Sequence, residues 1–216
     1  MNIFHPRVSI IIPVYNGSDY MREAIDSALA QTYDNFEVLV INDGSCDNGA
    51  TDAIAKSYGS KIRYYVKENG GVATALNLGI EKMDGEYFSW LSHDDKYKPE
   101  KIENQIKLLE SQEYDTILYS GYELMNEKSE TYAVVDYSEI YTLEQLNVSL
   151  FPVIRGLANG CTMLIHKSHF TRVGVFDPTL TTTQDYDLWF RMFRNSRIQY
   201  SYEIDVKMRQ HKAQGS

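Results

Sequence analysis

The run "VSIIIPVYNG", Val8–Gly17, decides the fold of this chain. Val8–Pro13 is a short, continuous apolar stretch rich in β-branched side chains, the pattern of a strand buried on both faces. "NGSDY" then turns the chain, with Ser18 or Asp19 placed to cap a helix. Met21, Ile25, Ala28 and Leu29 follow at helical spacing. The same strand-then-helix unit recurs. "FEVLVIND", Phe36–Asp43, reads as a second buried strand stopped by Asp43-Gly44-Ser45, with a helix from about Ala50 to Ser57. "IRYYVK", Ile62–Lys67, is a third strand, and "NGG", Asn69–Gly71, introduces a helix carrying Val72, Leu76 and Ile80. "EYFSWLS", Glu86–Ser92, is a fourth strand. Pro99 then stands where a first helical residue is favoured, ahead of an apolar stripe of Ile102, Ile106 and Leu109.

Alternating strands and helices predict an α/β fold, with a mostly parallel sheet flanked by helices. Ligands of such sheets bind beyond the carboxyl ends of the strands. Strand one ends in Tyr15-Asn16, strand two in Asn42-Asp43 and strand four in Asp94-Asp95, so polar groups from distant parts of the chain converge on one edge.

The second half has a different rhythm. Thr116–Asn126 and Thr131–Tyr137 read as an antiparallel pair around a polar turn at Glu127–Glu130. Thr142 caps a short helix, Asn159–Lys167 reads as a strand, and "TTTQDYDLWFRMF" leads into a helix with Leu188, Trp189, Met192 and Phe193 inward. "IQYSYEIDVKMRQH" reads as strand to the end. The expectation is one domain over 1–216, with a nucleotide-type half over about 1–112 and a mixed half over about 113–216.

Bulk composition narrows the partners. Among the 216 residues, 21 are basic and 30 acidic, giving a net charge of −9. Nucleic acid is an unsuitable partner, because phosphate backbones are held by clustered Lys and Arg. A small anionic ligand still suits an acidic chain if a divalent cation or helix N-termini supply positive potential. Cys46 and Cys161 form no CxxC and no disulfide framework, which indicates a reducing, cytoplasmic setting. No apolar stretch approaches the roughly 18–20 residues that span a bilayer. The 17 tyrosines read as scattered core and rim residues. The sequon Asn147-Val148-Ser149 is discounted in a chain without secretory features.

The motifs together resemble glycosyltransferase family 2, a group of inverting enzymes with the GT-A fold. "VSIIIPVYNG", "FEVLVINDGS", "ENGGVATALNLGI", "GEYFSWLSHDD", "VGVFDPTL…TQDYDLWFRM" and "RQHKAQGS" occur in the family's order and spacing across nearly the whole chain. The resemblance implies a GT-A-type, Rossmann-like donor half and an acceptor-side half. It implies transfer of a sugar from a nucleotide-diphosphate donor, UDP favoured, to an acceptor hydroxyl. The acceptor would be a glycan or lipid-linked saccharide of surface polysaccharide or glycolipid synthesis, handled at the cytoplasmic face of a membrane.

It also implies roles for particular residues. Asp95 becomes the ligand of a divalent cation, Mn²⁺ or Mg²⁺, and Asp94 contacts the ribose or a metal-bound water. His211, from Arg-x-His, completes the metal or diphosphate site. Pro13, Tyr15, Asn16, Asp43 and Gly71 surround the nucleotide, with Tyr15 stacking on the base and Asp43 accepting from a base N–H. Asp185 becomes the general base. Ser92, Leu76 and Gln184 stand where the family often has Asp, Arg and Glu; Lys67 is a substitute phosphate contact for the missing Arg. His93 reads as supporting, Asp187 as a first-turn acid and Trp189 as core. The chain stops just after its last core motif, which reads as a truncated catalytic domain. Two other functions fit an α/β nucleotide site: a sugar-nucleotide or glycan binder without catalysis, and a sugar-phosphate nucleotidyltransferase. The second needs a Gly-rich basic loop, whereas "VSIIIPVYNGSDY" has one glycine and no lysine.

Overall fold

The structure, a computed structural model, describes residues 4–212. Strands and helices are numbered in chain order. At the centre lies β1 (Val8–Val14), buried at every residue. It pairs in parallel with β2 (Phe36–Asn42) and with β4 (Tyr87–Trp90). β3 (Arg63–Val66) extends the sheet beyond β2 in parallel, and the two-residue β9 (Ile165–His166) lies antiparallel to β4. The order is β3-β2-β1-β4-β9. The crossovers are α1 (Met21–Leu29), α2 (Ala50–Ser57) and α3 (Val72–Lys82); α4 (Lys101–Leu109) follows β4.

Strand alternation divides the core into two layers. Val8, Ile10, Ile12 and Val14 face a cluster with Met21, Ile25 and Ala28 of α1 and with Ile102, Ile106 and Leu109 of α4. Ile11, Leu39 and Ile41 face the other way, onto Ala75 and Leu76 of α3 and Leu188, Trp189, Met192 and Phe193 of α8 (Gln184–Phe193). Each fully buried large apolar side chain contributes roughly 1.5–3 kcal/mol. These layers clamp the sheet, so the loops beyond β1, β2 and β4 start from fixed positions.

The remaining strands form two smaller sheets. β6 (Ile117–Ser120) pairs in parallel with β10 (Ile198–Ser201). β5 (Lys96–Tyr97), β11 (Val206–Arg209), β7 (Tyr122–Met125) and β8 (Thr131–Val135) make the order β5-β11-β7-β8. β7 and β8 are antiparallel around a turn closed by Asn126 N–H donating to Glu130 O, as the sequence predicts. The parallel central sheet and mixed second half likewise agree with expectation. Thr142 caps α5 (Leu143–Leu146) in a reciprocal capping box with Gln145.

Several local expectations are corrected. Thr116–Asn126 is two strands, broken at Gly121, where a Cβ would run into the Val135 carbonyl. The 198–211 stretch is also two strands, and they serve different sheets. Asn159–Lys167 is not one strand but a 3₁₀ turn at Gly160–Thr162 followed by the two-residue β9. Two short helices, α6 (Phe151–Ile154) and α7 (Ser168–Val173), were not expected. Neither Ser18 nor Asp19 caps α1; its N-cap is Tyr20, without a side-chain bond. Pro99 precedes α4 rather than opening it, and its carbonyl accepts from Thr32 N. Asn147 is occupied by Gln199 and by Tyr200 N, so its sequon is a structural contact.

Candidate active site

A cavity of about 570 Å³ opens beyond the carboxyl ends of β1, β2 and β4. Pro13, Tyr15, Asp43 and Gly71 line one part of it; Ser92, His93 and Asp94 line another; Gln184 and Asp185, from the first turn of α8, also face it. The structure therefore brings together residues from five distant sequence segments.

Tyr15 stands at the lip, 45% exposed, with its hydroxyl 3.5 Å from Cys46 Sγ. Asn16 does not line the cavity. Its backbone has a left-handed φ of 48°, and it clips the first two loops together: its N–H donates to Ser45 Oγ, and its Oδ1 accepts from Cys46 N. Cys46 and Cys161 are both free thiols.

Asp43 is buried and holds the start of α3. Its carboxylate accepts from Gly71 N at 2.7 Å, from Gly70 N at 3.1 Å and from Lys67 Nζ. This anchors the glycine turn, where Gly71 adopts φ 85°, a backbone that Gly takes at little cost. Lys67 is thus engaged by Asp43, not free for a phosphate. Leu76 is fully buried in the core layer beneath α3.

The two aspartates after β4 have different surroundings. Asp94, 7% exposed, lines the cavity, and its Oδ2 accepts from His211 Nε2 at 3.0 Å. Asp95, 3% exposed, is not among the cavity-lining residues; its Oδ1 accepts from Arg209 N at 2.8 Å. Burial, and then the neighbouring Asp94 charge, push the Asp95 carboxyl up to about 8. His93 lines the cavity next to Gly17, and burial pushes its imidazole below the ordinary range.

Asp185 is half-buried. Its Oδ1 accepts from Tyr186 N, leaving Oδ2 without a hydrogen-bond partner among the described residues. Asp187 pairs with Arg191 one turn on, and Trp189 is fully buried. Gln184 is 8% exposed, with Oε1 unpartnered.

Trp90, Asn69, Thr181 and Thr182 also line the cavity, and nothing in the sequence distinguishes them beyond their place next to the motifs. Arg209, visible in the sequence only as part of Arg-x-His, is fully buried. The last four residues of "RQHKAQGS" lie outside the described residues.

Charge is the cavity's chief constraint. Its lining includes Asp43, Asp94 and Asp185 but no Lys or Arg. The α3 N-terminal N–H groups at Gly70 and Gly71, which could otherwise face an anion, are committed to Asp43. The lining therefore offers a diphosphate no Lys or Arg side chain. Among the described residues no group of three His, Cys, Asp or Glu side chains is arranged to hold a metal. Asp94 lines the cavity, and His211, which lines the neighbouring pocket beside the β7–β8 turn, meets its carboxylate. A carboxylate beside an imidazole suits Mn²⁺ better than Mg²⁺, with phosphate oxygens and water completing the shell.

Fold and site together define an α/β protein of the nucleotide-sugar transferase type, with a parallel sheet presenting acidic loops to one cavity. The profile described as "Glycosyl transferase family 2" matches residues 9–174, and the chain belongs to that family. An uncharacterised glycosyltransferase of Rickettsia felis is 55% identical over 217 residues, covering 100% of this chain and 36% of the relative. The chain thus spans about a third of that relative's length. Staphylococcus aureus TarS 1–349, solved in complex with UDP-GlcNAc, superposes with a TM-score of 0.78 at 19% identity, over 96% of this chain and 60% of that one. The mannosyltransferase PcManGT of Pyrobaculum calidifontis, solved with GDP-Man and Mn²⁺, gives a TM-score of 0.71 at 17% identity, over 96% and 58%. The fold resembles these GT-A transferases. No described helix is long and apolar enough to cross a membrane.

Proposed function

We propose that the chain is the catalytic unit of an inverting, metal-dependent hexosyltransferase that uses a nucleotide-diphosphate sugar, UDP-linked in preference. The observation that carries this reading is a single cavity holding a nucleotide-type lip, an acidic centre and an isolated carboxylate, with no cationic side chain.

Tyr15 offers its ring to the base. Lys67 Nζ, Gly70 N, Gly71 N and, at 3.5 Å, Thr74 Oγ1 all donate to the Asp43 carboxylate, so a base N–H such as uracil N3 would share an oxygen with them. Asp94 and His211 are the groups that would hold the cation, and Asp95 fixes their loop through Arg209 N. In this reading Asp94, which lines the cavity, takes the ligand role that the resemblance gives to Asp95, and His211 joins it through its contact with the Asp94 carboxylate. A bound Mn²⁺ or Mg²⁺ supplies positive charge against the departing diphosphate. Asp185 takes the proton of the acceptor hydroxyl. The acceptor oxygen bonds to the anomeric carbon as the bond to the diphosphate breaks on the opposite face, leaving free UDP. Gln184, neutral where the family has an acid, keeps a second negative charge away from Asp185.

The acceptor is proposed to be a glycan or lipid-linked saccharide of surface-polysaccharide or glycolipid assembly, met at the cytoplasmic side of a membrane. The division into a donor half over about 1–112 and an acceptor half over about 113–216 belongs to the same reading.

A thermal-shift panel of UDP-, GDP- and TDP-sugars with Mn²⁺, Mg²⁺ or chelator tests the proposal, alongside release of free nucleoside diphosphate. A UDP-sugar should raise the melting temperature only with the cation, by mass action, and UDP should accumulate once an acceptor is supplied. Binding without release across a broad acceptor panel would identify a binder instead. No response to any sugar nucleotide would remove the proposal.

A further inference from the structure

Arg209 makes an unusual set of contacts for a fully buried side chain. Its Nε donates to the backbone carbonyl of Asp94 at 2.9 Å. Nη1 donates to Asn126 O, Glu127 O and Ser129 Oγ in the β7–β8 turn, and Nη2 reaches Glu23 Oε2 on α1 at 3.2 Å. Its backbone N–H donates to Asp95 Oδ1. The guanidinium lies 4.3 Å from the centre of the Tyr20 ring, and that ring packs against His211 at 5.0 Å. One side chain therefore joins α1, the loop after β4, the β7–β8 turn and β11.

A geometric consequence follows for His211. Gln210 N–H donates to Met125 O, so the chain stays extended past β11, and residues 209 and 211 fall on the same side. Both then reach Asp94, Arg209 at its carbonyl and His211 at its carboxylate. Arg209 also suits this place chemically. Its planar fork of five donors stays charged and can serve several carbonyls at once, which a lysine ammonium does not reproduce.

We propose that Arg209 is a positioning residue that sets the Asp94–His211 pair, and through it the cation affinity of the site. The affinity clause rests on the reading of that pair as metal-facing; the positioning clause does not. Loss of partners that orient metal ligands typically costs 10–100-fold in metal affinity.

Two readouts on Arg209→Lys test this. The first is the His211 Nε2 proton in NMR, assigned by its absence in His211→Ala. It should be protected in the wild type, exchange-broadened in Arg209→Lys, and retained in Leu109→Ala, a core variant that disturbs none of these hydrogen bonds. The second is Mn²⁺ titration of UDP binding by calorimetry, where Arg209→Lys should weaken apparent Mn²⁺ affinity at least about tenfold and Leu109→Ala should not. If Arg209→Lys does not fold, Glu23→Gln with Ser129→Ala loosens the same guanidinium and should give a smaller change in the same direction. A protected His211 proton and unchanged Mn²⁺ affinity in these variants would overturn the inference. A wild type that shows the protected proton, loses it in the variants, and binds no UDP with Mn²⁺ would support positioning while removing the transferase reading.

Discussion

Lys101 is the most informative single residue for pH-dependent stability. It is 1% exposed, and its Nζ donates to Ser89 Oγ and Gln105 Oε1, each at 2.9 Å. The Tyr97 ring centre is 4.2 Å away, and no carboxylate is bonded to the ammonium among the described residues. Burial pushes its pKa from the ordinary 10.5 down to about 7. The unfolded chain therefore binds more protons between those values, and stability rises with pH across the window. At about 1.4 kcal/mol per pH unit, the charged form costs the fold about 4–5 kcal/mol at pH 7 and below. Lys101→Met removes that cost. It leaves Gln105 Oε1 without its donor, at about 1–3 kcal/mol, while Ser89 Oγ keeps Tyr97 OH. The variant should thus be more stable than the wild type by about 1–4 kcal/mol at pH 6.5. By pH 10 the wild-type penalty shrinks below about 1 kcal/mol, so the advantage vanishes or reverses. Urea unfolding at pH 6.5, 8 and 10, compared at equal m-value, measures this directly. Because Asp95 titrates in both proteins, the difference between them isolates Lys101. A difference constant in pH, or a destabilised variant at pH 6.5, would refute the reasoning.

Other outcomes are expected from the site and its scaffold. Asp185→Asn should keep UDP-sugar affinity and lower UDP release at least about a hundredfold, as for loss of a general base; unchanged turnover would remove that assignment. Asp94→Asn should weaken Mn²⁺-dependent UDP binding by about tenfold or more, and Asp95→Asn should not; calorimetry on both decides which aspartate faces the cation. Thr142→Ala should cost about 1 kcal/mol of unfolding free energy through loss of the α5 cap, and a denaturant midpoint unchanged at equal m-value would show the capping box to be idle.

The first half of the fold was legible because its elements are regular. β1 and β2 carry runs of β-branched residues, α1 and α4 carry apolar stripes, and the strand ends follow from both. The second half was less legible because its breaks depend on contacts distant in sequence. One apolar run is divided at Gly121 into strands of two sheets, and the Val135 carbonyl, distant in sequence, leaves no room for a Cβ there. The same limit applies at the site. Periodicity brings Asp43 to the sheet edge, but its carboxylate is taken up by Gly70, Gly71 and Lys67, roles visible only when the loops are seen together.

The paired aspartates show this limit most sharply, and they bear directly on mechanism. Asp94 and Asp95 have the same chemistry and adjacent positions, so no local pattern ranks them. The ranking comes from Arg209, 114 residues beyond Asp95, whose backbone N–H turns the second carboxylate inward. That leaves Asp94 at the cavity with His211 on its Oδ2. Two consequences follow from simple electrostatics. Asp95, bonded to Arg209 N, is not part of the cavity lining. The cavity's charge then rests on Asp94, Asp43 and Asp185, and the Asp43 carboxylate is already paired with Lys67. Asp94 is thus the carboxylate of the lining that meets the His211 imidazole. A diphosphate anion would meet that centre with no Lys or Arg in the lining to offset it. Binding without a divalent ion would place like charges together in a partly enclosed space, where the repulsion is several-fold stronger than in bulk water. The arrangement of the carboxylates thus supports the proposal of cation-dependent donor binding, in addition to what the family resemblance implies.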